Sequence, residues 1–294
     1  MSSETAHPGF RQVLRDDALA GRRILVTGGG TGLGRAMAER FLDLGARLMI
    51  CGRRGDVLDQ AAQEMGAKKM GANSAHPVET FRVDLRDPEA VDSLFEAAFA
   101  DGEGPDTLIN NAAANFVARS ETLSHRALDA IIDTSLKGTL YCTSAFGRRR
   151  LAAQAPGTVL SIITSYAWHG SPYVVPSAVA KAGVLTMTRS LAQEWGPRGI
   201  RFVALSPGAF PTKGAWERLV PRPELARRHE TGNLTGRPGD PAELAELAAF
   251  LISDAAAYIH GECVTIDGGR WLKGVGTFGH LDALGEEEWA AMRS

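Results

Sequence analysis

The sequence has few cysteines, few aromatic residues and no long apolar run. Its three cysteines, Cys51, Cys142 and Cys263, lie far apart in apolar stretches, which favours buried thiols in a reducing compartment over a disulfide framework. No stretch approaches the ~18 consecutive apolar residues that a membrane span needs. No group of cysteines and histidines has the spacing of metal ligands, so we expect neither a membrane segment nor a metal site.

An excess of one charge is also missing. The 32 basic and 34 acidic residues leave a net charge of −2, which argues against nucleic-acid binding. The first residues lack the basic and then apolar pattern of a secretion signal, and residues 291–294 differ from a peroxisomal Ser-Lys-Leu signal. We therefore expect a cytoplasmic protein. Its 294 residues, 44% of them hydrophobic, suffice for a sizeable core.

Strand and helix patterns alternate along the chain. Short, nearly continuous apolar runs predict seven strands, at 23–27, 46–51, 80–84, 106–110, 157–163, 200–205 and 263–266. Helical patterns lie between them at about 34–44, 56–65, 126–151 and 177–195, and Pro88 opens a further helix. This order predicts an α/β fold, a single doubly wound Rossmann-type domain whose seven-stranded parallel sheet has helices on both faces. We assign residues 1–20 to an N-terminal arm and 21–294 to the domain.

The stretch 211–238 interrupts this alternation. It contains Pro211, Pro221, Pro223 and Pro238 together with many charged residues. Long insertions in compact domains are more often lids or binding loops than plain surface loops. We therefore expect a substrate lid here, with a surface insertion as the alternative.

A glycine-rich turn after the first strand predicts a dinucleotide site. Gly28, Gly32 and Gly34, with Thr31 and Leu33 among them, stand where a strand ends and a helix begins. Glycines allow a tight turn and a close approach of the backbone to a pyrophosphate, which the N-terminus of a helix favours. The spacing differs from G-x-G-x-x-G, because position 33 is leucine. A glycine-rich turn without a ligand is the alternative.

The end of the second strand indicates NADP(H) rather than NAD. An acidic residue there would bind the ribose 2′-hydroxyl of NAD, but the sequence has Arg53 and Arg54, and arginine suits a 2′-phosphate. Alternatively, both arginines only solvate the start of a helix. Asp84, at the end of the third strand, either accepts a hydrogen bond from the adenine amino group or caps the helix that Pro88 opens.

The chain resembles a short-chain dehydrogenase/reductase from about residue 20 to residue 272. The resemblance is carried, in order and spacing, by the run 27–34, Asn110-Asn111-Ala112-Ala113, Lys181, Ser206-Pro207-Gly208 and Asp267-Gly268-Gly269. That family usually has Tyr-x-x-x-Lys at its catalytic centre. Here Ser177 stands four residues before Lys181.

A closer resemblance is to the 2,4-dienoyl-CoA reductases. It rests on residues 110–116, 161–166, 174–177, 180–183 and 207–218, and on the extension 271–278. In that subfamily the catalytic tyrosine lies at the position of Tyr166, and serine takes the usual tyrosine position. Ala114 departs from the subfamily pattern, in which glycine is usual, but leaves Asn115 in register.

The resemblance implies a role for each residue of this group. Tyr166 and Asn115 donate hydrogen bonds to the thioester oxygen of a 2,4-dienoyl-CoA. Lys181 holds the nicotinamide ribose, and Ser177 lies near the thioester or a proton-relaying water. Reduction with NADPH then yields a 3-enoyl-CoA. The residues alone also allow a rim aromatic at Tyr166, a turn residue at Asn115 and a helix N-cap at Ser177.

Two sets of contact residues complete the expected site. The expected cofactor contacts are Gly28, Thr31, Gly32, Leu33, Gly34, Arg53, Arg54, Asp84, Leu85, Asn111, Ala112, Lys181, Pro207, Gly208 and Thr212. The expected substrate contacts are Phe116 and Ser124, with Arg86 and Arg218 as candidates for the phosphates of CoA. An ordinary exposed arginine is the alternative at the last two positions. We expect Tyr173 in the pocket wall.

Two rival functions stay open on the sequence alone. One is an NADP-dependent alcohol or ketone oxidoreductase with Tyr166 as its acid, and the other is a non-catalytic NADP-binding protein. Fatty-acid enoyl reductases of this superfamily use a tyrosine seven residues before the lysine. Position 174 here is valine, which argues against them. By analogy with the superfamily, we expect a homotetramer.

Overall fold

The computed structural model describes residues 11–69, 78–212, 227, 230–276, 281 and 283–291. Seven strands form one parallel sheet in the order β3-β2-β1-β4-β5-β6-β7, which confirms the predicted fold. The strands are β1 (Arg23–Thr27), β2 (Arg47–Gly52), β3 (Glu79–Arg82), β4 (Thr107–Asn110), β5 (Gly157–Ile162), β6 (Ile200–Pro207) and β7 (Glu262–Ile266).

Helices connect successive strands and cover the sheet. They are α1 (Gly32–Asp43), α2 (Gly55–Lys69), α3 (Pro88–Ala98), α4 (His125–Ile132), α5 (Gly138–Ala152), α6 (Tyr166–His169), α7 (Val175–Trp195), α8 (Pro241–Ile252), α9 (Arg270–Val275) and α10 (Glu286–Ala291). A π-helical turn, Asp133–Lys137, joins α4 to α5.

Buried apolar side chains lie on both faces of the sheet. On one face Phe41 of α1 and Leu244 of α8 belong to the same core cluster. On the other face Phe95 of α3 and Phe146 of α5 form a second cluster. Strands β1, β4 and β5 are buried along their whole length, as their nearly continuous apolar sequences require. Polar chemistry is therefore left to the loops at the strand ends.

Several parts of the helical layer differ from the sequence prediction, and the short helices α6, α9 and α10 were not predicted. The predicted helix 126–151 is divided by the π-helical turn, and α8 lies in a stretch for which no element was predicted. The start of α8 has strong signals, because Asp240 and Glu243 form a capping box around Pro241. Its body is mostly alanine and leucine, so no polar face marks the helical period.

The three cysteines are free thiols, and Cys51 and Cys142 are fully buried. Burial raises the pKa of Cys51 and of Cys263 to about 12, so both are protonated at neutral pH. None of the described helices combines the length and the apolar character that crossing a membrane requires. In the same residues no cluster of three or more histidine, cysteine or acidic side chains is placed to hold a metal.

A buried ion pair fastens α1 to α8. Arg40 Nε lies 2.6 Å from Oε2 of Glu246, and both side chains are more than 90% buried. The other carboxylate oxygen of Glu246 accepts hydrogen bonds from the backbone N–H groups of Val13 and Leu14, at 2.8 and 2.9 Å. One carboxylate thus joins two helices and the described part of the N-terminal arm.

We expect Glu246→Ala to lower the free energy of unfolding by about 3–5 kcal/mol, because it leaves the Arg40 guanidinium buried without its carboxylate. Chemical denaturation followed by circular dichroism measures the change. Asp92→Ala is the matched control, because it removes a surface ion pair with Arg148. That control should cost no more than about 1 kcal/mol. Equal losses in the two variants would contradict the assigned importance of the buried pair.

Candidate active site

The predicted site residues gather at the carboxyl edge of the sheet. Strand β1 lies between β2 and β4, so the order of strands reverses its direction between β1 and β4. Doubly wound sheets bind ligands in the crevice that such a reversal opens outside the carboxyl ends of the strands. The glycine-rich turn after β1 stands at this crevice.

The turn adopts a backbone that favours glycine. Gly28 and Gly32 have φ angles of +67° and +57°. A Cβ atom on Gly34 would lie 2.4 Å from both the carbonyl oxygen of Gly28 and Nδ2 of Asn111. Thr31 is the N-cap residue of α1, but its side chain makes no capping hydrogen bond. The open backbone cradle at the start of α1 therefore fits a pyrophosphate.

Asn111 ties the ends of β1 and β4 together at the crevice. Its Nδ2 donates to the carbonyl oxygen of Thr27 at 2.9 Å, and its backbone N–H donates to Thr27 Oγ1 at 3.0 Å. The N–H of Ala112 donates to the same hydroxyl at 3.0 Å. Leu33 packs against the core beneath the turn, and Leu85 is buried three residues after the end of β3. The predicted floor of the dinucleotide site is thus brought together.

Charged residues collect at the nucleotide end of the crevice. Arg53 and Arg54 follow β2 with exposed side chains, and neither has an ion-pair partner among the described residues. Asp84 accepts from Arg86 Nε, which lies 3.0 Å from both carboxylate oxygens. Hydrogen bonding to Arg86 holds the pKa of Asp84 below its usual value. Arg86 therefore already has a carboxylate partner at this end, and its contact with a CoA phosphate stays a prediction.

Lys181 is the only lysine among the described residues that is fully buried, and it lies beside the end of β5. Its Nζ donates to the carbonyl oxygen of Ile162 at 2.6 Å, and 5% of the residue is exposed. Burial lowers the pKa of Lys181 to about 8. No acidic residue compensates this charge among the described residues, so the site holds a cation that an anionic or hydroxyl-rich ligand would stabilise.

The segment after β6 approaches the glycine turn. Gly208 donates its N–H to the carbonyl oxygen of Ile266 at 2.9 Å, which joins the ends of β6 and β7. A Cβ on Gly32 would meet Thr212 Oγ1 at 3.5 Å, so Thr212 lies over the turn. Pro207 ends β6 next to Gly208. These residues therefore lie on the same crevice as the turn, and their contacts with a cofactor stay predictions.

Three polar side chains meet beside Lys181. The phenol oxygen of Tyr166 lies 3.0 Å from Ser177 Oγ, and Nδ2 of Asn115 donates to the same phenol oxygen at 3.5 Å. Ser177 is 3% exposed, and Oδ1 of Asn115 is a buried acceptor with no partner among the described residues. Ser177 and Lys181 lie one helical turn apart on α7. The predicted group thus forms one cluster, and the Tyr166 phenol points into it rather than into solvent.

This cluster presents two hydrogen-bond donors and a nearby cation at one point. Such an arrangement stabilises negative charge that develops on an oxygen atom during a reaction. The buried amide oxygen of Asn115 adds an acceptor for a donor on a bound ligand. The chemistry that fits is addition to a polarised carbonyl or to a conjugated carbonyl system.

Several capping alternatives are settled by the helix starts. Helix α7 begins at Val175, so Ser177 lies inside its first turn and bonds to Tyr166, and the N-cap alternative for Ser177 is wrong. Asp87, not Asp84, caps α3, accepting N–H groups of its first turn at 3.1 Å. Ser124 caps α4 through the N–H of Ala127 at 3.2 Å, which gives its hydroxyl a structural partner. Its substrate contact stays a prediction.

Ser135 is a site residue that the sequence did not suggest. It lies fully buried in the π-helical turn, and its hydroxyl accepts from the N–H of Ala114 at 3.0 Å and donates to the carbonyl oxygen of Ala114 at 3.1 Å. These two hydrogen bonds fix the backbone of Ala114, the residue immediately before Asn115. π-Helical turns often occur at functional sites, but a serine within a helical pattern gives no signal of one.

The remaining predicted contacts lie at the rim. Tyr173 is 55% exposed, with a φ of +67°, and its carbonyl oxygen accepts from the N–H of Ala118 at 3.0 Å. Phe116 is 37% exposed in the loop that follows Asn115. Arg218, most of the predicted lid and the last two residues of the extension 271–278 lie outside the described residues.

Comparison with known proteins gives consistent matches. A family model described as enoyl-(acyl carrier protein) reductase matches residues 28–270. The chain is 44% identical over 261 residues to a protein of Caenorhabditis elegans named probable 2,4-dienoyl-CoA reductase 3, (3E)-enoyl-CoA-producing, covering 88% of this chain and 83% of that protein. It is 40% identical over 253 residues to a Bacillus subtilis protein named probable 2,4-dienoyl-CoA reductase, (2E)-enoyl-CoA-producing, covering 85% and 97%.

A solved structure agrees with the fold. A dehydrogenase structure from Beutenbergia cavernae, which contains NADP at low occupancy, superimposes with a TM-score of 0.79 at 30% identity. The match covers 88% of this chain and 100% of the other. The crevice and the order of the strands are therefore those of a nicotinamide-dependent fold.

Burial of the Lys181 charge predicts a pH-dependent stability. The unfolded chain keeps this lysine protonated up to its ordinary pKa of 10.5, whereas the folded protein releases the proton near pH 8. Between these values the unfolded state binds more protons, so stability rises with pH. Below pH 8 Lys181 is charged in both the folded and the unfolded state, so the full free-energy cost of burying its charge lowers the stability. We therefore expect Lys181→Met to raise the free energy of unfolding at pH 7 by about 2–3 kcal/mol.

This gain should shrink as the pH rises from 8 to 10.5, as measured by urea denaturation at each pH. Lys273→Met, which changes an exposed lysine, is the control and should show no such trend. A Lys181→Met variant that is less stable at pH 7, or a difference that stays constant with pH, would contradict the assignment.

Proposed function

Since this chain belongs to the short-chain dehydrogenase/reductase family and is an oxidoreductase that takes a nicotinamide cofactor, we propose that it reduces 2,4-dienoyl-CoA thioesters with NADPH. The product is a 3-enoyl-CoA. The observation that carries the proposal is the hydrogen bond between the Tyr166 phenol and Ser177, with Asn115 beside them. Ser177 stands at the position that usually holds the catalytic tyrosine of the family, and it is hydrogen-bonded to Tyr166, a tyrosine at a different position.

Conjugate reduction needs donors at the thioester oxygen. When the far end of the diene gains a hydride, negative charge spreads to that oxygen, and fixed hydrogen-bond donors stabilise it. The phenol of Tyr166 and the amide nitrogen of Asn115 lie 3.5 Å apart, so both can donate to a single oxygen between them.

Ser177 and Lys181 support this pair of donors. The Ser177 hydroxyl, buried and 3.0 Å from the phenol, orients Tyr166 toward the substrate. Lys181 would hold the ribose hydroxyls of the nicotinamide nucleotide and contribute positive charge close to the developing anion. NADPH, when bound, supplies the hydride. A proton then reaches the carbon next to the thioester, with Ser177 near its path, and this gives the 3-enoyl product.

The position of the double bond in the product shows which carbon of the extended enolate is protonated. Protonation of the extended enolate at C2 gives a 3-enoyl thioester, and protonation at C4 gives a 2-enoyl thioester. The names of the two relatives divide in the same way, since the C. elegans protein is named for the (3E) product and the B. subtilis protein for the (2E) product. We propose C2, the position closest to the thioester oxygen that Tyr166 and Asn115 hold.

NADPH is the proposed form of the cofactor. Arg53 and Arg54 lie exposed at the end of β2 and form no ion pair within the described part of the chain, at the place where the ribose 2′-position of a dinucleotide is bound in this fold. Arginine suits the 2′-phosphate of NADP, whereas an acidic residue, which NAD prefers, is missing there. The NADP in the B. cavernae structure supports the same choice.

Several broader assignments accompany this proposal. We propose one domain over residues 21–294 with a lid at about 211–238, and the described ends of that stretch at 211–212 and 230–238 lie near the crevice and the turn after β7. A homotetramer, a cytoplasmic location and the contacts of Arg86, Arg218, Phe116 and Ser124 with an acyl-CoA remain predictions of the sequence.

The main alternative is an NADP-dependent alcohol or ketone oxidoreductase. The cluster could protonate an isolated carbonyl, because Tyr166 and Lys181 are both present. An enoyl-(acyl carrier protein) reductase, the description of the matching family model, is disfavoured because Val174 stands seven residues before Lys181. The non-catalytic NADP-binding protein that the sequence left open is set aside, because the chain is an oxidoreductase.

One assay separates these functions. We expect the purified protein to oxidise NADPH with loss of dienoyl absorbance when it is given 2,4-hexadienoyl-CoA or 2,4-decadienoyl-CoA. Crotonyl-CoA, crotonyl-acyl carrier protein and simple ketones should be poor substrates. If none of the dienoyl-CoA chain lengths is consumed while a ketone is, the proposed substrate class is wrong.

The choice of phenol predicts unequal effects of two tyrosine variants. We expect Tyr166→Phe to lower kcat about 10²–10³-fold, the range for loss of one oxyanion donor, with little change in the KM for NADPH. Tyr173→Phe is the matched control, since its exposed ring lies at the rim, and it should change kcat less than about threefold. Steady-state kinetics with a dienoyl-CoA measures both. Equal losses would show that Tyr166 is not the donor.

A further inference from the structure

Exposed apolar side chains concentrate around the catalytic cluster. Large exposed apolar residues lie in segments that follow the carboxyl ends of β4, β5, β6 and β7, namely Phe116, Val117, Trp168, Tyr173, Leu234 and Leu272. A soluble protein leaves such side chains exposed together mostly where it binds a ligand or a partner. The contacts among these segments show which ligand they suit.

The centre of this apolar region is a pair of tryptophans. The rings of Trp168 and Trp271 meet edge to face, with centroids 5.8 Å apart and planes at 88°. Trp168 belongs to α6, the four-residue helix whose first residue is Tyr166, and is still 38% exposed. Trp271 belongs to α9, which follows β7. The pair therefore connects the element that carries the phenol to an element 100 residues further along the chain.

The turn between β7 and α9 fixes the position of Trp271. Asp267 accepts hydrogen bonds from the N–H groups of Gly269 and Trp271, both at 2.9 Å. Gly268 and Gly269 have φ angles of +63° and +75°, which favour glycine. The carbonyl oxygen of Gly268 also accepts from the N–H of Leu234 at 2.8 Å. One turn thus holds both Trp271 and the end of the proposed lid.

A second contact joins two loops that lie next to the donors in the chain. The N–H of Ala118 donates to the carbonyl oxygen of Tyr173 at 3.0 Å. This bond joins the loop that contains Asn115 and Phe116 to the loop between α6 and α7. Exposed apolar residues therefore lie in the same segments as both donors, since Phe116 directly follows Asn115 and Trp168 lies on the helix that Tyr166 begins.

We propose that the Trp168–Trp271 pair binds the hydrocarbon tail of the acyl-CoA beyond the diene and so determines the preferred chain length. The inference rests on the proposed function, because it takes the thioester to be held by Tyr166 and Asn115. The Trp168 ring also meets that of His169 edge to face, with centroids 6.5 Å apart, and among the described residues neither tryptophan has a cation–π contact. The proposed occupant is therefore the apolar alkyl chain of the acyl group.

The proposal predicts a chain-length effect of defined size. Each methylene that leaves water for an apolar wall strengthens binding roughly fourfold. A hexadienoyl chain has one carbon beyond the diene and a decadienoyl chain has five, so only the longer tail reaches far along the wall. The ratio of kcat/KM for the decadienoyl substrate to that for the hexadienoyl substrate isolates this contribution from the chemistry at the diene.

We expect Trp168→Ala and Trp271→Ala each to lower this ratio about tenfold or more, with the hexadienoyl value changed less than about threefold. Trp271→Phe should largely restore the ratio, since it returns an aromatic ring. The double alanine variant should lose little more than either single variant, because the two rings form one wall. Trp289→Ala, which changes an exposed tryptophan of α10, is the control and should leave the ratio unchanged.

Equal losses for both chain lengths would overturn the proposal, because they would show that the pair only supports the helix of Tyr166. An unchanged ratio in both variants would overturn it as well. Calorimetry of the NADP-loaded protein with hexanoyl-CoA and decanoyl-CoA distinguishes this failure from failure of the proposed function. If no dienoyl-CoA is reduced but decanoyl-CoA binds more tightly than hexanoyl-CoA, and the alanine variants remove that difference, the reaction assignment fails and the tail site stands. If chain length has no effect on binding to the unmodified protein, the tail site fails.

Discussion

The hydrogen bond between the Tyr166 phenol and the Ser177 hydroxyl is the constraint on which the rest of the site depends. It joins two consecutive helices, the short α6 that follows β5 and the long α7 that carries Lys181 one turn further on. Because Ser177 is almost fully buried, the phenol takes the place that water would have at an exposed serine. Fixing this bond therefore fixes the tyrosine, the serine and the lysine together, and Asn115 meets them from the neighbouring loop.

Much of this architecture could be predicted from the sequence, for a physical reason. In a parallel sheet the central strands are buried on both faces, so β1, β4 and β5 appear as short apolar runs, and the glycine turn is tied to its position by sterics that only glycine satisfies. Side-chain partners were harder to predict. Ser177 could have capped a helix, and only the actual start of α7 at Val175 shows that it does not.

Other features gave no local signal at all. Helix α8 lacks a polar stripe because its alanines and leucines pack closely on α1. Ser135 lies in a π-helical turn, and the formation of that turn depends on packing in the folded chain and not on the spacing of residue types in the sequence. Trp168 contacts Trp271, which lies 103 positions further along the chain, and no local sequence pattern links residues so far apart. The polar centre of the site was therefore predictable from motifs, whereas its apolar border required the folded chain. Polar donors fix where the thioester lies, and the border sets which acyl chains fit beside it.

The proposed electrophile is the far end of a conjugated thioester and not a carbonyl carbon. The most direct test follows the transferred hydrogen with NADPH deuterated at the reactive C4 position and 2,4-decadienoyl-CoA, using NMR and mass spectrometry of the product. The site described here predicts deuterium at C5 and a solvent-derived proton at C2 of a 3-enoyl thioester. Deuterium at C1 of an alcohol, or at C3 of the chain, would contradict it.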